Sequence, residues 1–199
     1  CRGAFALGSS LALFWPALLG FALPINFNSP YKANSITDFW RRWHISLSTW
    51  LRDYLYISMG GNRKGKLRTY LHLAITMLIG GLWHGAALKF IVWGGLHGLA
   101  LTLHKLWTEN VKVPVSRWGN YASILITFHF VAFCWMYFRA ADMYTVKLML
   151  SNISTNFDFM GIGSQAAAYW KVFALILIGF AVHFLPSNLK NRAEWWYSE

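Results

Sequence analysis

Charge is scarce in this chain. Charged side chains make up 13% of 199 residues, where a soluble domain carries about a quarter. The gaps matter more than the total. No Asp, Glu, Lys or Arg lies between Arg2 and Lys32, Arg68 and Lys89, Lys89 and Lys105, Arg117 and Arg139, or Lys171 and Lys190. A bilayer crossing needs roughly 20 mostly apolar residues, and five such gaps in a short chain exclude a single soluble core. Spans are therefore expected near 4–24, 70–88, 90–106, 120–138 and 169–186. The second and third must be joined by a tight turn near Lys89, or form a broken helix pair lining a cavity. Cysteine is nearly absent as well. Cys1 and Cys134 stand alone, which excludes a disulfide framework and a cysteine zinc site; Cys134, mid-span, is expected to be inert packing. There is no initiator methionine and no basic stretch before the first apolar run, so the start does not read as a signal peptide. It reads as a section of a longer chain.

What charge there is carries one sign. The net charge is +11, and the basic residues cluster. Lys32, Arg41, Arg42, Arg52, Arg63, Lys64, Lys66 and Arg68 lie between the first two expected spans. Lys105, Lys112 and Arg117 fill the next loop on that side, and Lys190 and Arg192 follow the last span. Alternation places these segments on one side of a membrane and Lys89 with the 139–168 loop on the other. Such asymmetry puts the basic segments in the cytoplasm and excludes a nucleic-acid-binding face.

Local patterns fill in the rest. Residues 25–35, INFNSPYKANS, are turn-rich. Ile36, Phe39, Trp40, Trp43, Leu47, Trp50, Leu51, Tyr54 and Leu55 recur at helical spacing, which predicts one or two amphipathic helices over 36–57 at the membrane interface. Ser35 is the expected N-cap, with Asp38 three residues on. GGNRKGK at 60–66 has phosphate-loop spacing, but Leu67 stands where Ser or Thr would hold a metal. The loop is instead expected near anionic lipid headgroups. The 139–168 segment reads as an outward loop with a short surface helix. The expected architecture is thus all-α, one incomplete membrane domain over 1–199, with interfacial helices and a basic loop at 25–69 and histidine-bearing spans at 70–106.

An ionisable side chain inside a span is a functional candidate by default. Among the seven histidines, His72 and His104 sit near span ends. His129 and His183 lie among apolar neighbours, where bonding a backbone carbonyl suffices. His84 differs. It closes GGLWHG, with Gly80 and Gly81 one turn before it, the side over which a helical side chain leans. Open space there would be filled by another helix or by substrate. His97 sits in GGLHG between Gly94 and Gly98, and His44 follows Arg41, Arg42 and Trp43. A neutral buried imidazole can take a proton from a hydroxyl near neutral pH. No Ser–His–Asp pattern is visible, so the chemistry would be direct attack of a hydroxyl on an activated acyl group. Two rival readings are a channel or transporter with buried histidines, and a haem or metal protein using His97 and His104.

NFNSPY at 26–31, SITDFWRRWHISLSTWLRDYLYISMGGNRKGK at 35–66 and GGLWHGAALKFIVWGGLHGLAL at 80–101 resemble the membrane-bound O-acyltransferase family, in the bacterial branch that acetylates alginate. The resemblance runs from about Leu23 to Trp107 and does not include the family's upstream spans. It implies many helices around a tunnel through a bacterial inner membrane. It implies that His84 is the central catalytic residue and His44 the second. The donor it implies is acetyl-CoA, a substrate arriving from the cytoplasm, with no bound cofactor and no metal. Arg41, Arg42, Trp43, Arg63, Lys64 and Lys66 are expected to meet the donor, and Gly80, Gly81, Trp83 and His97 to wall the site. Expected partners are membrane lipid and an extracytoplasmic acyltransferase or polysaccharide-modifying protein, the acceptor being an exported polysaccharide.

Overall fold

The computed structural model describes residues 24–111 and 116–184, and all regular structure among them is helical. The chain divides into two compact units.

The first unit is Ala33–Phe157. Helix α1, Ile36–Arg42, begins where expected: Ser35 is extended, and its hydroxyl accepts the Asp38 N–H at 3.2 Å. This satisfies one of the N–H groups that a helix start leaves open. Ile36, Phe39 and Trp40 are the buried face of α1. The stripe continues, but not as one rod. Trp43 is extended, and His44 adopts a left-handed conformation at φ 44°, ψ 56°. Helix α2, Ile45–Trp50, then runs directly into a π-helical turn, Leu51–Tyr56.

Helices α3, Lys66–Trp83, and α4, Leu88–Asn110, form a tight antiparallel hairpin. Glycine makes it possible. A Cβ on Gly81 would strike the carbonyl oxygen of Phe90, one on Gly94 that of Met77, and one on Gly98 would lie 3.0 Å from Ala74 Cα. Small residues let two backbones approach closely. Helix α5, Arg117–Arg139, packs on α4; the Ser116 hydroxyl caps it by accepting the Gly119 N–H at 3.0 Å. Helix α6, Met143–Thr155, packs on α5, capped by the Asp142 carboxylate on the Thr145 N–H at 2.7 Å. The core joins α1, α3, α4 and α5 through Phe39, Trp40, Met77, Trp93, Val131 and Cys134. Cys134 is fully buried packing.

The second unit contains, among its described residues, a short 3₁₀ turn at Pro30–Lys32 and helices α7, Ile162–Ala168, and α8, Trp170–Phe184. The His183 ring lies 4.9 Å from that of Tyr31, and the Lys32 ammonium 5.7 Å from the Phe184 ring.

The span count differs from expectation. Among the described residues one helix, Arg117–Arg139, is by itself long and apolar enough to cross a membrane. Ile162–Ala168 with Trp170–Ala181 meets the same test only as a pair bent by 88°. One or two candidate spans therefore stand where five were expected. Helices α3 and α4 are long enough, but polar groups interrupt them: His72 and Thr76 in one, His97, Thr102, His104 and Lys105 in the other. The expected 4–24 span lies outside the described residues, Pro24 excepted.

Candidate active site

His84 caps the C-terminal end of α3, its N–H bonded to the Gly81 carbonyl at 3.0 Å. Its ring is half-buried in an aromatic chamber. Trp83 and Phe138 lie 4.9 Å away, Trp93 5.4 Å and Phe90 6.2 Å, centroid to centroid. His44 lies near enough that a charge on its ring is felt at His84. Burial pushes the His44 pKa below the ordinary histidine value, opposed by a hydrogen bond from its ring to the residue's own backbone. Its left-handed backbone, rare outside glycine and strained for a residue with a Cβ, is what turns the chain between α1 and α2. Two histidines from separate elements thus interact electrostatically.

The glycines before His84 do not leave room for a substrate. Leu51 Cδ1 lies 3.1 Å from a Cβ built on Gly80, and the Phe90 main chain fills the position beside Gly81. Gly80 and Gly81 serve packing, and the space around His84 is bounded by rings. Trp83 is 62% exposed, so it forms an outer edge of the chamber rather than its floor.

An open cavity of about 900 Å³ lies at the other end of the α3–α4 hairpin, lined by Trp40, Arg41, Arg42, Arg52, His104 and Lys105 among others. Its charges are unequally committed. Arg42 pairs with Asp38 at 2.8 Å, Arg52 with Asp53 at 2.7 Å and Lys105 with Glu109 at 3.2 Å. Arg41 has no carboxylate partner among the described residues. The cavity reaches Met77 on α3; His84, seven residues further, is roughly 10 Å along the axis. Trp40, Trp93 and His97 lie between the two, with Trp40 5.9 Å from Trp93 and Trp93 4.8 Å from His97.

The basic loop does not join this site as a group. Arg63 lines a smaller hollow with Arg52 and Tyr56, Lys64 folds over Gly60, and Lys66 lies 3.6 Å from Glu109 at the start of α3. Trp43 stacks on Phe39 at 5.8 Å and lies 5.2 Å from Trp135, a packing position.

The remaining histidines have partners of their own. His72 Nδ1 donates to the Gly61 carbonyl at 3.1 Å and His129 Nδ1 to that of Leu125 at 2.8 Å. His104 Nδ1 is 2.9 Å from the Thr37 hydroxyl. Among the described residues no three His, Cys, Asp or Glu side chains converge as a metal site would require.

His97 is the surprise. It is fully buried, and its Nδ1 accepts the Trp40 indole N–H at 3.2 Å. Trp40, Trp93 and Phe138 were not legible as site residues. The only available signal was the pairing of tryptophan with glycine in VWGG.

The profile of the MBOAT, membrane-bound O-acyltransferase family, matches residues 4–146. The chain is 47% identical over 144 residues to the probable alginate O-acetylase AlgI of Pseudomonas syringae pv. tomato, covering 71% of this chain and 27% of that protein. It is 47% identical over 131 residues to the peptidoglycan O-acetyltransferase of Helicobacter pylori, 66% of this chain and 25% of that one. The teichoic acid D-alanyltransferase of Bacillus subtilis is 34% identical over 140 residues, 65% and 34% of the two chains. The matched region thus spans between a quarter and about a third of these relatives. Matched over most of its length by the family profile, this chain belongs to the membrane-bound O-acyltransferase family.

Proposed function

We propose that this chain carries the reaction centre of a multi-pass inner-membrane O-acetyltransferase, which moves an acetyl group from cytoplasmic acetyl-CoA to hydroxyls of an exported polysaccharide such as alginate. The observation that carries this reading is the aromatic chamber around His84, within electrostatic range of His44, with a cationic cavity on the far side of an aromatic partition. Relatives named for alginate, peptidoglycan and teichoic acid support a polymer acceptor.

The neutral imidazole of His84 removes the proton of the acceptor hydroxyl. The oxygen bonds to the acyl carbon, the carbon–sulfur bond breaks, and the thiolate leaves with the proton that the imidazolium carried. No acyl-enzyme is needed. His44, whose charge reaches His84, positions the reactants. Arg41 supplies the uncommitted cation for the donor's phosphates. The acetyl group passes to the polymer directly or through an extracytoplasmic acyltransferase partner.

The test is His84→Ala in the full-length protein, scored by polymer acetyl content against membrane abundance. Loss of acetylation at normal abundance is expected. Unchanged acetylation would remove His84 from the reaction.

A further inference from the structure

Two buried N–H groups lie between the cavity and His84 without a protein partner. Trp93 Nε1 and His97 Nε2 are both enclosed, and neither has a hydrogen-bond partner among the described residues. Their protonation states are not in doubt. An indole nitrogen only donates. Trp40 donates to His97 Nδ1, so Nδ1 must be the lone-pair nitrogen and Nε2 the one that carries hydrogen. Both groups are therefore donors. A donor left buried and unpaired is costly, so two of them on rings 4.8 Å apart in a well-packed core require an explanation.

Position supplies it. The Trp93 ring touches His97 at 4.8 Å and His84 at 5.4 Å, and Trp40, which fixes the His97 tautomer, also lines the cavity. An acyl group passing from cavity to His84 must cross this partition. The rings around His97 are Phe39, Trp40, Trp93 and Phe130, so the partition is built of side chains.

We infer that Trp93 Nε1–H and His97 Nε2–H form a seat for the carbonyl oxygen of the acyl thioester. The inference rests on the acyl-transfer reading and adds to it the group that polarises the carbonyl. As the hydroxyl oxygen attacks, charge gathers on that oxygen, and preorganised donors in a dry site stabilise it. The Trp40–His97 bond is then a positioning device, since without it the His97 ring could present a lone pair instead of a hydrogen.

The test compares two unreactive coenzyme A analogues on the full-length protein in detergent. Acetonyl-CoA keeps the carbonyl and S-ethyl-CoA lacks it. Wild type is expected to bind acetonyl-CoA about tenfold more tightly, the gain of pairing buried donors. His97→Phe and Trp93→Phe should each shrink that ratio towards one. A merely structural role would weaken both analogues together and leave the ratio unchanged. Should His97→Phe fail to accumulate, Trp93→Phe alone decides, because it keeps an aromatic ring while removing the donor, and the void left by the smaller ring should weaken both analogues alike. A ratio near one in wild type, or a ratio preserved in the variants, overturns the seat. His84→Ala separates the two ideas, since it should abolish transfer while keeping the ratio. If neither analogue binds wild type, the thioester-donor reading falls together with the seat.

Discussion

Trp40 on α1 donates its indole hydrogen to Nδ1 of His97 on α4, across 3.2 Å and with both side chains buried. One bond thereby ties the amphipathic helix to the histidine-bearing hairpin and fixes which nitrogen of His97 carries hydrogen. Trp40→Phe should leave the Nδ1 acceptor unpaired and a small void beside it. The expected cost is about 2–4 kcal/mol, seen as a lower thermal midpoint of the full-length protein in detergent. A midpoint equal to wild type would show that the bond contributes nothing to folding.

The glycine seam makes a contrast between neighbours. Gly94→Ala forces a methyl group into the Met77 carbonyl, whereas a Cβ on Gly95 meets Leu78 Cδ2 at an ordinary 3.7 Å. The first should cost about 1–3 kcal/mol by overpacking. The second should be neutral or stabilise by up to about 1 kcal/mol, because alanine favours helix. Paired thermal melts check this; equal effects at the two positions would contradict the seam.

His44 can be tested through its backbone. Its φ of 44° costs a residue with a Cβ about 1 kcal/mol that glycine does not incur. His44→Gly should therefore melt above His44→Ala by roughly that amount, although neither has an imidazole to position reactants. The same midpoint for both would mean that the left-handed turn carries no strain.

The pH dependence of His44 follows from the sign of its shift. Burial lowers its pKa, so the folded state binds fewer protons than the unfolded state near that value. Its neutral-form stability is complete above the unfolded value of about 6.5 and is lost as pH falls from there through the folded value. Thermal midpoints of wild type should drop on acidification below about pH 6.5, and His44→Gln should lessen that drop. A slope unaltered by the substitution would assign it to other groups.

Arg41 is the cavity's uncommitted cation. Arg41→Gln should raise KM for acetyl-CoA about tenfold and change kcat little, as expected for a group that binds phosphate without touching the reacting bond. Arg42→Gln, which breaks an existing pair with Asp38, should act on stability instead. Steady-state kinetics of the full-length protein separate the two.

Sequence and structure divide the account between them. The helical stripe with its Ser35 cap, the buried face of Ile36, Phe39 and Trp40, and the helical class were all readable from the chain. Each follows from spacing along one segment, which the chain itself carries. The turn at His44 was only half legible, because periodicity runs through it and a left-handed residue leaves no mark in a pattern of apolar side chains. The role of the glycines before His84 reversed. Sequence shows that a side chain is missing, but only the neighbouring helix shows what occupies the space. The count of spans also moved, since charge-free length alone does not weigh the histidines and threonines that interrupt α3 and α4.

The order of apolar and polar residues determined that this chain is helical, where its helices start, and which histidine stands in a special setting, since each is fixed within a few turns of backbone. Tertiary structure alone decided that His44 comes within electrostatic range of His84, that Trp40 sets the hydrogen on His97, and that Trp93 stands between the cavity and His84. Those relations join residues far apart in the chain, and they exist only once close helix packing brings three segments to the same few ångströms.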